Sequence, residues 1–183
     1  AINTMITDYD IPGVEFMAFN TDAQALKMSQ SPVTLQLGEE LTHGLGVGGN
    51  HDMGAQAAEE SLDQIQELLE GANMVFITAG MGGGTGTGAA PIIAGVAKNM
   101  GALTVAVVTK PFDFEGNKRR EIAEEGIAAL KDKVDTLIVV PNQRLLEIVD
   151  EGERLSFIDA MKKVDSVLAE GVNSISNLIS QTG

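Results

Sequence analysis

The sequence has no cysteine, which excludes disulfides and thiolate metal sites and leaves the redox compartment open. Basic residues are scarce: 12 Lys and Arg stand against 26 Asp and Glu, for a formal net charge of −14, and no basic cluster occurs. A nucleic-acid partner needs such clusters to meet its phosphates, so the balance argues against one. No apolar run approaches the roughly 20 residues that span a membrane, and the first residues do not form a basic, then apolar, signal segment. The chain is expected to be soluble and cytoplasmic, without direct membrane insertion. His43 and His51 are the only histidines, and their spacing supports no metal site, so both read as surface residues. With 183 residues, 44% of them hydrophobic, the chain is long enough for one domain with a substantial core.

Against these absences stands one dense stretch, Ala79-Gly80-Met81-Gly82-Gly83-Gly84-Thr85-Gly86-Thr87-Gly88. It lies between an apolar run, Met74 to Thr78, and a helix-like run from Ala89 to Met100. Each glycine gives up side-chain burial and costs backbone entropy on ordering, so packing offers no reason for them. The expectation is that the backbone itself touches a ligand. A strand, a glycine-rich turn and a helix aim free N–H groups and the positive end of the helix dipole at one point, where a phosphate binds. The stretch reads as a phosphate-binding loop.

Strand and helix signals alternate along the rest of the chain. Ala1 to Thr7 reads as the end of a helix already under way, followed by a turn at Asp10-Ile11-Pro12-Gly13. Val14 to Phe19 reads as a short strand ending on Asn20-Thr21-Asp22, polar groups at the carboxyl end, where ligands sit in open parallel sheets. Val33 to Leu37 fits an edge strand. Gly44-Leu45-Gly46-Val47-Gly48-Gly49-Asn50 is a second glycine-rich loop, either a plain connection or part of a site.

From Gly54 to Leu69 the apolar residues have helical spacing, and Gly71 stops the pattern. Met74 to Thr78 and Leu103 to Thr109 are apolar runs of the kind covered on both faces. A helix from about Glu115 to Lys131 is predicted to bury Ile122, Ile127 and Leu130. Asp135 to Val140 reads as another strand, and Leu145, Leu146 and Val149 as a short helix. Last comes a helix of about 23 residues, roughly 35 Å long, carrying Phe157, Met161, Val164, Leu168, Val172, Ile175 and Ile179. The alternation implies an α/β fold of three layers with a mostly parallel sheet and right-handed crossovers.

The residues just beyond the glycine loop narrow the chemistry it can serve. A P-loop would place Lys and Ser or Thr after the glycines, but Ala89-Ala90-Pro91 stands there. Gly84-Thr85-Gly86-Thr87-Gly88-Ala89 meets a degenerate dinucleotide pattern, which wants an acid about 20 residues on. Thr109-Lys110 occupies that place instead. A dinucleotide oxidoreductase using NADP stays open as an alternative on those residues.

Gly82 to Gly88 matches the signature heptad of the tubulin and FtsZ superfamily. Around it, Asn20-Thr21-Asp22-Ala23-Gln24-Ala25-Leu26, Ala79-Gly80-Met81, and Lys110-Pro111-Phe112 through Phe114-Glu115-Gly116 with Arg119 resemble bacterial-type FtsZ, and the resemblance covers nearly the whole chain. It implies a Rossmann-like GTP-binding domain over residues 1–183, ending in the long central helix. It further implies GTP or GDP with Mg2+ as ligands and head-to-tail self-assembly into protofilaments of a division ring at mid-cell, with regulators and membrane tethers as further partners.

By the same resemblance, Gly82, Gly83, Gly84, Thr85, Gly86, Thr87 and Gly88 would cradle the diphosphate, with the Thr hydroxyls as added donors. Asn20 and Asp22 would lie near sugar, phosphates and magnesium, and Gly46, Val47, Gly48 and Gly49 would sense the γ-phosphate. Glu115 and Arg119 would contact the ribose side, while Asn142 and Asp165 would face the guanine. Read from the residues alone, Glu115 and Arg119 are also a surface i, i+4 ion pair. Asp165 flanks the buried stripe of the last helix, where a carboxylate needs donors or solvent.

The family pattern also carries a first strand and phosphate loop ahead of Ala1. Beyond Gly183 it carries a loop whose acid activates water in the next subunit's site, and then a carboxyl-terminal domain. No catalytic residue is therefore expected within this chain, which should bind nucleotide weakly or not at all and not turn over alone. Between Asp150 and Asp159 the chain is about two residues longer than common members, and Ser166 stands where many carry a second acid. A scaffold that keeps the fold without turnover is the third alternative.

Overall fold

The computed structural model describes residues 2–9, 11, 13–147 and 156–180. Asp10 and Pro12 of the predicted turn, Val149, and the longer segment at 150–155 lie outside the described residues. In chain order come α1 (Ile2–Asp8), β1 (Met17–Asn20), α2 (Ala23–Lys27), β2 (Val33–Gln36), α3 (Glu39–Thr42), α4 (His51–Glu60) and α5 (Leu62–Leu69). After them come β3 (Met74–Gly80), α6 (Thr85–Asn99), β4 (Leu103–Lys110), a 3-10 turn at Asp113–Glu115, α7 (Asn117–Lys131), β5 (Thr136–Pro141), α8 (Asn142–Glu147) and α9 (Phe157–Ser180).

Every strand pairing is parallel, as the helical crossovers require. In β4 the side chains alternate between two cores. Val105 and Val107 join Phe112, Leu145, Val164 and Leu168 under α8 and α9, while Ala106 and Val108 join Ile77, Ala94, Ala123 and Leu130 under α6 and α7. Both faces of the strand are thus covered, which is why Val105 to Val108 are all apolar rather than alternating. These are the three layers.

The single sheet expected from the sequence is divided. β1 pairs with β2, β3 pairs with β4 and β4 with β5, and no ladder joins β1 to β3 among the described residues. The helix read over Gly54 to Leu69 is also divided, at Ser61. Its buried hydroxyl accepts the N–H of Gly38 at 3.0 Å, so Ser61 leaves helical register to hold the end of β2. At the glycine stretch the opposite happens: helix starts at Thr85, inside the run assigned to a loop. The helix expected from Glu115 starts two residues later, because Glu115 closes the 3-10 turn by accepting the Phe112 N–H at 2.7 Å. Along it only Leu130 of the three expected core residues is fully buried, with Ala123 and Gly126; Ile122 and Ile127 are half-buried.

Candidate functional site

The register of the parallel strands puts their carboxyl ends on one edge. Gly80 stands opposite Thr109, and Lys110 opposite Pro141. The residues after those ends are the glycine heptad, the Pro111 to Arg119 segment and Asn142. β1 reaches the same edge at Asn20, because Thr21 Oγ1 lies 2.6 Å from Thr85 Oγ1 and ties the β1 end to the first turn of α6. This edge is where a doubly covered parallel sheet holds its ligands.

At the centre, α6 begins with Gly84 at its N-cap position and no side chain capping it. The first N–H groups of a helix have no intrahelical acceptor, and over 15 residues the aligned peptide dipoles put partial positive charge there. The heptad is folded back onto this end by one hydrogen bond, Gly82 N–H donating to Thr87 Oγ1 at 2.9 Å, and Met81 just before it is held to β4, its N–H donating to the Thr109 C=O at 2.9 Å. Gly82 needs its glycine conformationally, with φ +110°. The Thr hydroxyls expected as ligand donors both have protein partners, Thr85 with Thr21 and Thr87 with Gly82.

Packing does explain three of the five heptad glycines, contrary to the reading of the sequence. A Cβ on Gly88 would strike the His51 carbonyl and come within 2.6 Å of Ala55 N. On Gly84 it would lie 2.5 Å from Val47 Cγ2 and 2.9 Å from Asn50 N, and on Gly86, 2.9 Å from Gly80 O. Gly83 alone of the five has nothing within 4 Å of that position. Three glycines therefore let backbones approach one another, and one faces open space in front of the helix terminus.

The close approach of Gly84 to Val47 and Asn50 settles where the second glycine-rich loop lies. Gly46, Val47, Gly48 and Gly49 run across the heptad, and Val47 is buried against it. Gly46, Gly48 and Gly49 all have positive φ, and Asn50 ends the loop by capping α4 through Oδ1 to Met53 N–H at 3.1 Å. Gly54 explains the placement: a Cβ there would strike the Gly84 carbonyl, so α4 meets the heptad backbone to backbone. Thr21, which the sequence reading sets among the polar groups at the end of β1, holds the first turn of α6, whereas Gly54, to which that reading gives no role, shapes the site by letting α4 approach the heptad. A glycine inside a helical pattern is the signal that could have found Gly54.

Asn20 Oδ1 accepts from the N–H groups of Thr21 and Asp22 at 2.8 and 3.2 Å, turning the chain out of β1. Asp22 Oδ1 accepts from Gln24 and Ala25 and caps α2. On the other flank, Glu115 Oε1 is 3.5 Å from an Arg119 terminal nitrogen, and the Arg119 backbone carbonyl lies 3.0 Å from where a Gly82 Cβ would be. Glu115 and Arg119 thus stand beside the heptad, and their ion pair is real as well.

Asn142 opens α8 directly after β5 and is 4% exposed; its Oδ1 has no hydrogen-bond partner. Asp165 is half-buried on α9 between buried Val164 and Leu168, and α8 and α9 pack together, with Leu145 and Leu168 in one core. His51 is not simply on the surface: it is half-buried, with Nε2 3.1 Å from Glu125 Oε2. Among the described residues no group of three His, Asp or Glu could hold a metal, and no helix is long and apolar enough to cross a membrane.

Residues 1–150 match the model of the GTPase domain of the tubulin/FtsZ family. The chain belongs to the tubulin/FtsZ family. Among solved structures it is similar to an empty FtsZ dimer from M. jannaschii, at 44% identity and TM-score 0.91, over 97% of this chain and 51% of that one. It is also similar to a GDP-bound CetZ1 monomer from Haloferax volcanii, at 25% identity and TM-score 0.71, over 86% of this chain and 48% of that one. A GTPγS-bound CetZ2 protofilament from the same organism shares the fold at 23% identity and TM-score 0.82, over 96% and 54%. This tubulin/FtsZ chain spans about half the length of these relatives.

Proposed function

We propose that this chain is the guanine-nucleotide-holding part of an FtsZ-type GTPase that assembles head to tail into protofilaments of the cytoplasmic division ring. The observation that carries the reading is the uncapped start of α6 with Gly83 open in front of it, bounded by Asn20, the Gly46–Gly49 loop and Arg119. That arrangement suits a diphosphate, held by backbone N–H groups and a helix dipole rather than by a lysine. GDP and GTPγS in the CetZ relatives support a guanine nucleotide, and the dimer and protofilament support self-association. Regulators and membrane tethers are proposed only by the family resemblance.

Magnesium is proposed to arrive with the phosphates, near Asp22, since one carboxylate cannot make a dedicated cage and Mg2+ keeps waters and phosphate oxygens as ligands. Bound there, it supplies charge neutralisation on the phosphates. Turnover is proposed to need a carboxylate from the next subunit. Within the site Asp22 already caps α2 and Glu115 already accepts from Phe112 and faces Arg119, so neither is poised on a water. Binding by this chain alone is proposed to be weak.

The test is thermal unfolding with GTP, GDP and NADP in magnesium buffer, since a ligand that binds only the folded state adds RT ln(1 + [L]/Kd) to stability. A shift with the guanine nucleotides alone, saturating only at high concentration, is expected. A shift with NADP alone would overturn the reading.

A further inference from the structure

The second glycine-rich loop, which crosses the heptad, stands on one buried side chain. Thr42 is the last residue of α3 and is 5% exposed. Its Oγ1 lies 3.0 Å from the Gly38 carbonyl and 3.3 Å from the Thr21 carbonyl, and it accepts the Gly44 N–H at 3.3 Å. A hydroxyl has a single proton to donate, so the two carbonyls share it. The Gly38 contact is the local bond that a Thr makes four residues back in a helix. The other two contacts reach outside α3, to the end of β1 and to the start of the loop.

The backbone around Thr42 completes the attachment. Its carbonyl accepts the Leu45 N–H at 3.0 Å, the Gly44 carbonyl accepts the Ala23 N–H at 3.0 Å, and the Gly46 N–H donates to the Thr21 carbonyl at 3.2 Å. Thr21 therefore carries the loop on its carbonyl and the first turn of α6 on its hydroxyl. Between Thr42 and Gly44 the chain passes through His43 with φ +51°, the one non-glycine residue with positive φ among the described residues. A left-handed turn at a residue with a side chain persists where its neighbours hold it. The tip of the loop is different: nothing stands within 4 Å of a Cβ built on Gly48 or Gly49. The loop has a fixed foot and an open tip.

We propose that Thr42 is the positioning residue of this loop: its hydroxyl fixes the foot at residues 44–46 and thereby sets where the tip meets a third phosphate. The inference rests on the reading of the edge as a nucleotide site. A diphosphate held by the start of α6 does not need the tip, whereas a phosphate beyond it has backbone N–H groups at left-handed glycines to meet. Loss of the Thr42 hydroxyl then costs the triphosphate more than the diphosphate.

The experiment is titration of GTP and of GDP in magnesium buffer onto the purified chain, with amide hydrogen exchange on the same samples. Thr42→Val keeps the shape and removes the bonds. It is expected to weaken GTP about fivefold and GDP less than about twofold, and to speed exchange of the Gly44 amide at least about tenfold without changing that of β4. Thr42→Ser is expected to restore both. Ser31→Ala is the comparison, because the Ser31 hydroxyl is likewise shared by two carbonyls, Phe16 at 2.9 Å and Val33 at 2.8 Å, but beside the amino ends of β1 and β2. It is expected to lower the melting temperature and leave both affinities at the parent values.

In the parent, GTP is expected to slow the Gly44 and Gly46 amides more than GDP does, a comparison that stands even if Thr42→Val does not fold. Equal slowing would overturn the inference, as would equal losses of GTP and GDP affinity in Thr42→Val, which belong to a purely structural role. A Gly44 amide as slow in Thr42→Val as in the parent would overturn it too. In all three cases the nucleotide reading survives. A parent that binds neither nucleotide would overturn that reading and this inference with it.

Discussion

Thr21 and Thr85, 64 positions apart, share a 2.6 Å hydroxyl–hydroxyl bond that joins the carboxyl end of β1 to the first turn of α6. Thr21 is fully buried. Replacing it by valine keeps the shape and leaves one hydroxyl without its partner, so Thr21→Val is expected to lower stability by about 0.5–1.5 kcal/mol. In a denaturant double-mutant cycle with Thr85→Val, the second substitution should cost little once the first is made. Full additivity would mean that the bond does not hold the two elements together.

The heptad glycines are expected to separate into two groups. Gly88→Ala forces a methyl into the His51 carbonyl, and the loss of stability should be about 1–3 kcal/mol or more. Gly83→Ala meets nothing, so its melting temperature should stay close to that of the parent while guanine-nucleotide affinity falls. Calorimetry on both variants, with and without GDP, distinguishes them. Equal destabilisation would remove the claim that Gly83 faces open space.

Asn142 is expected to trade stability against binding. A buried amide oxygen with no donor carries a desolvation penalty of about 1–3 kcal/mol. Asn142→Leu removes it and should leave the chain as stable or more stable, while weakening GTP binding by about tenfold if that amide contacts the base. Melting curves and nucleotide titration of the same sample give both quantities. A destabilised Asn142→Leu would show that the side chain serves packing.

Asp22 has a capping role that can be separated from its charge. Asp22→Ala should cost about 1 kcal/mol through the lost bonds to Gln24 and Ala25. Asp22→Asn keeps an oxygen acceptor and should cost much less, yet should weaken the magnesium dependence of nucleotide binding. Denaturant unfolding, then GTP titration at several magnesium concentrations, checks both.

At high pH the contact between α1 and α9 is expected to loosen. Partial burial, and then the Glu170 carboxylate 3.3 Å from its hydroxyl, hold the Tyr9 phenol above its ordinary range. The folded state therefore favours the protonated phenol. That contribution is fully present below the ordinary phenol pKa of about 10 and is lost as pH rises through the higher folded value. The stability of Tyr9→Phe relative to the parent should improve above that pH, measured by denaturant midpoints. A pH-independent difference would count against it.

Much of the fold was legible in the residues. The middle of β4, Val105 to Val108, is apolar at each position and buried on both faces, and the spacing of Val164, Leu168 and Val172 places the buried stripe of α9. Other features depend on contacts between segments far apart. Ser61 breaks a helix because of Gly38, 23 residues away, and Thr85 starts one in a sequence of poor helix formers because the end of β3 and α4 hold it. The gap between β1 and β3 has no signature in either strand. In the site, the heptad and Asn20 were marked by composition and position, whereas Gly54 was hidden inside an ordinary amphipathic helix.

Gly54 has a counterpart in Gly126 of α7, where a Cβ would strike the Thr87 side chain. Neither residue offers a ligand anything. A saturation scan of this chain would nevertheless place both among its least tolerant positions, beside Gly88. A functional map drawn from intolerance alone would then extend the nucleotide pocket across two neighbouring helices. Here intolerance marks where neighbouring elements pack at close range as well as where a ligand binds, and only a binding assay run alongside the scan would tell the two apart.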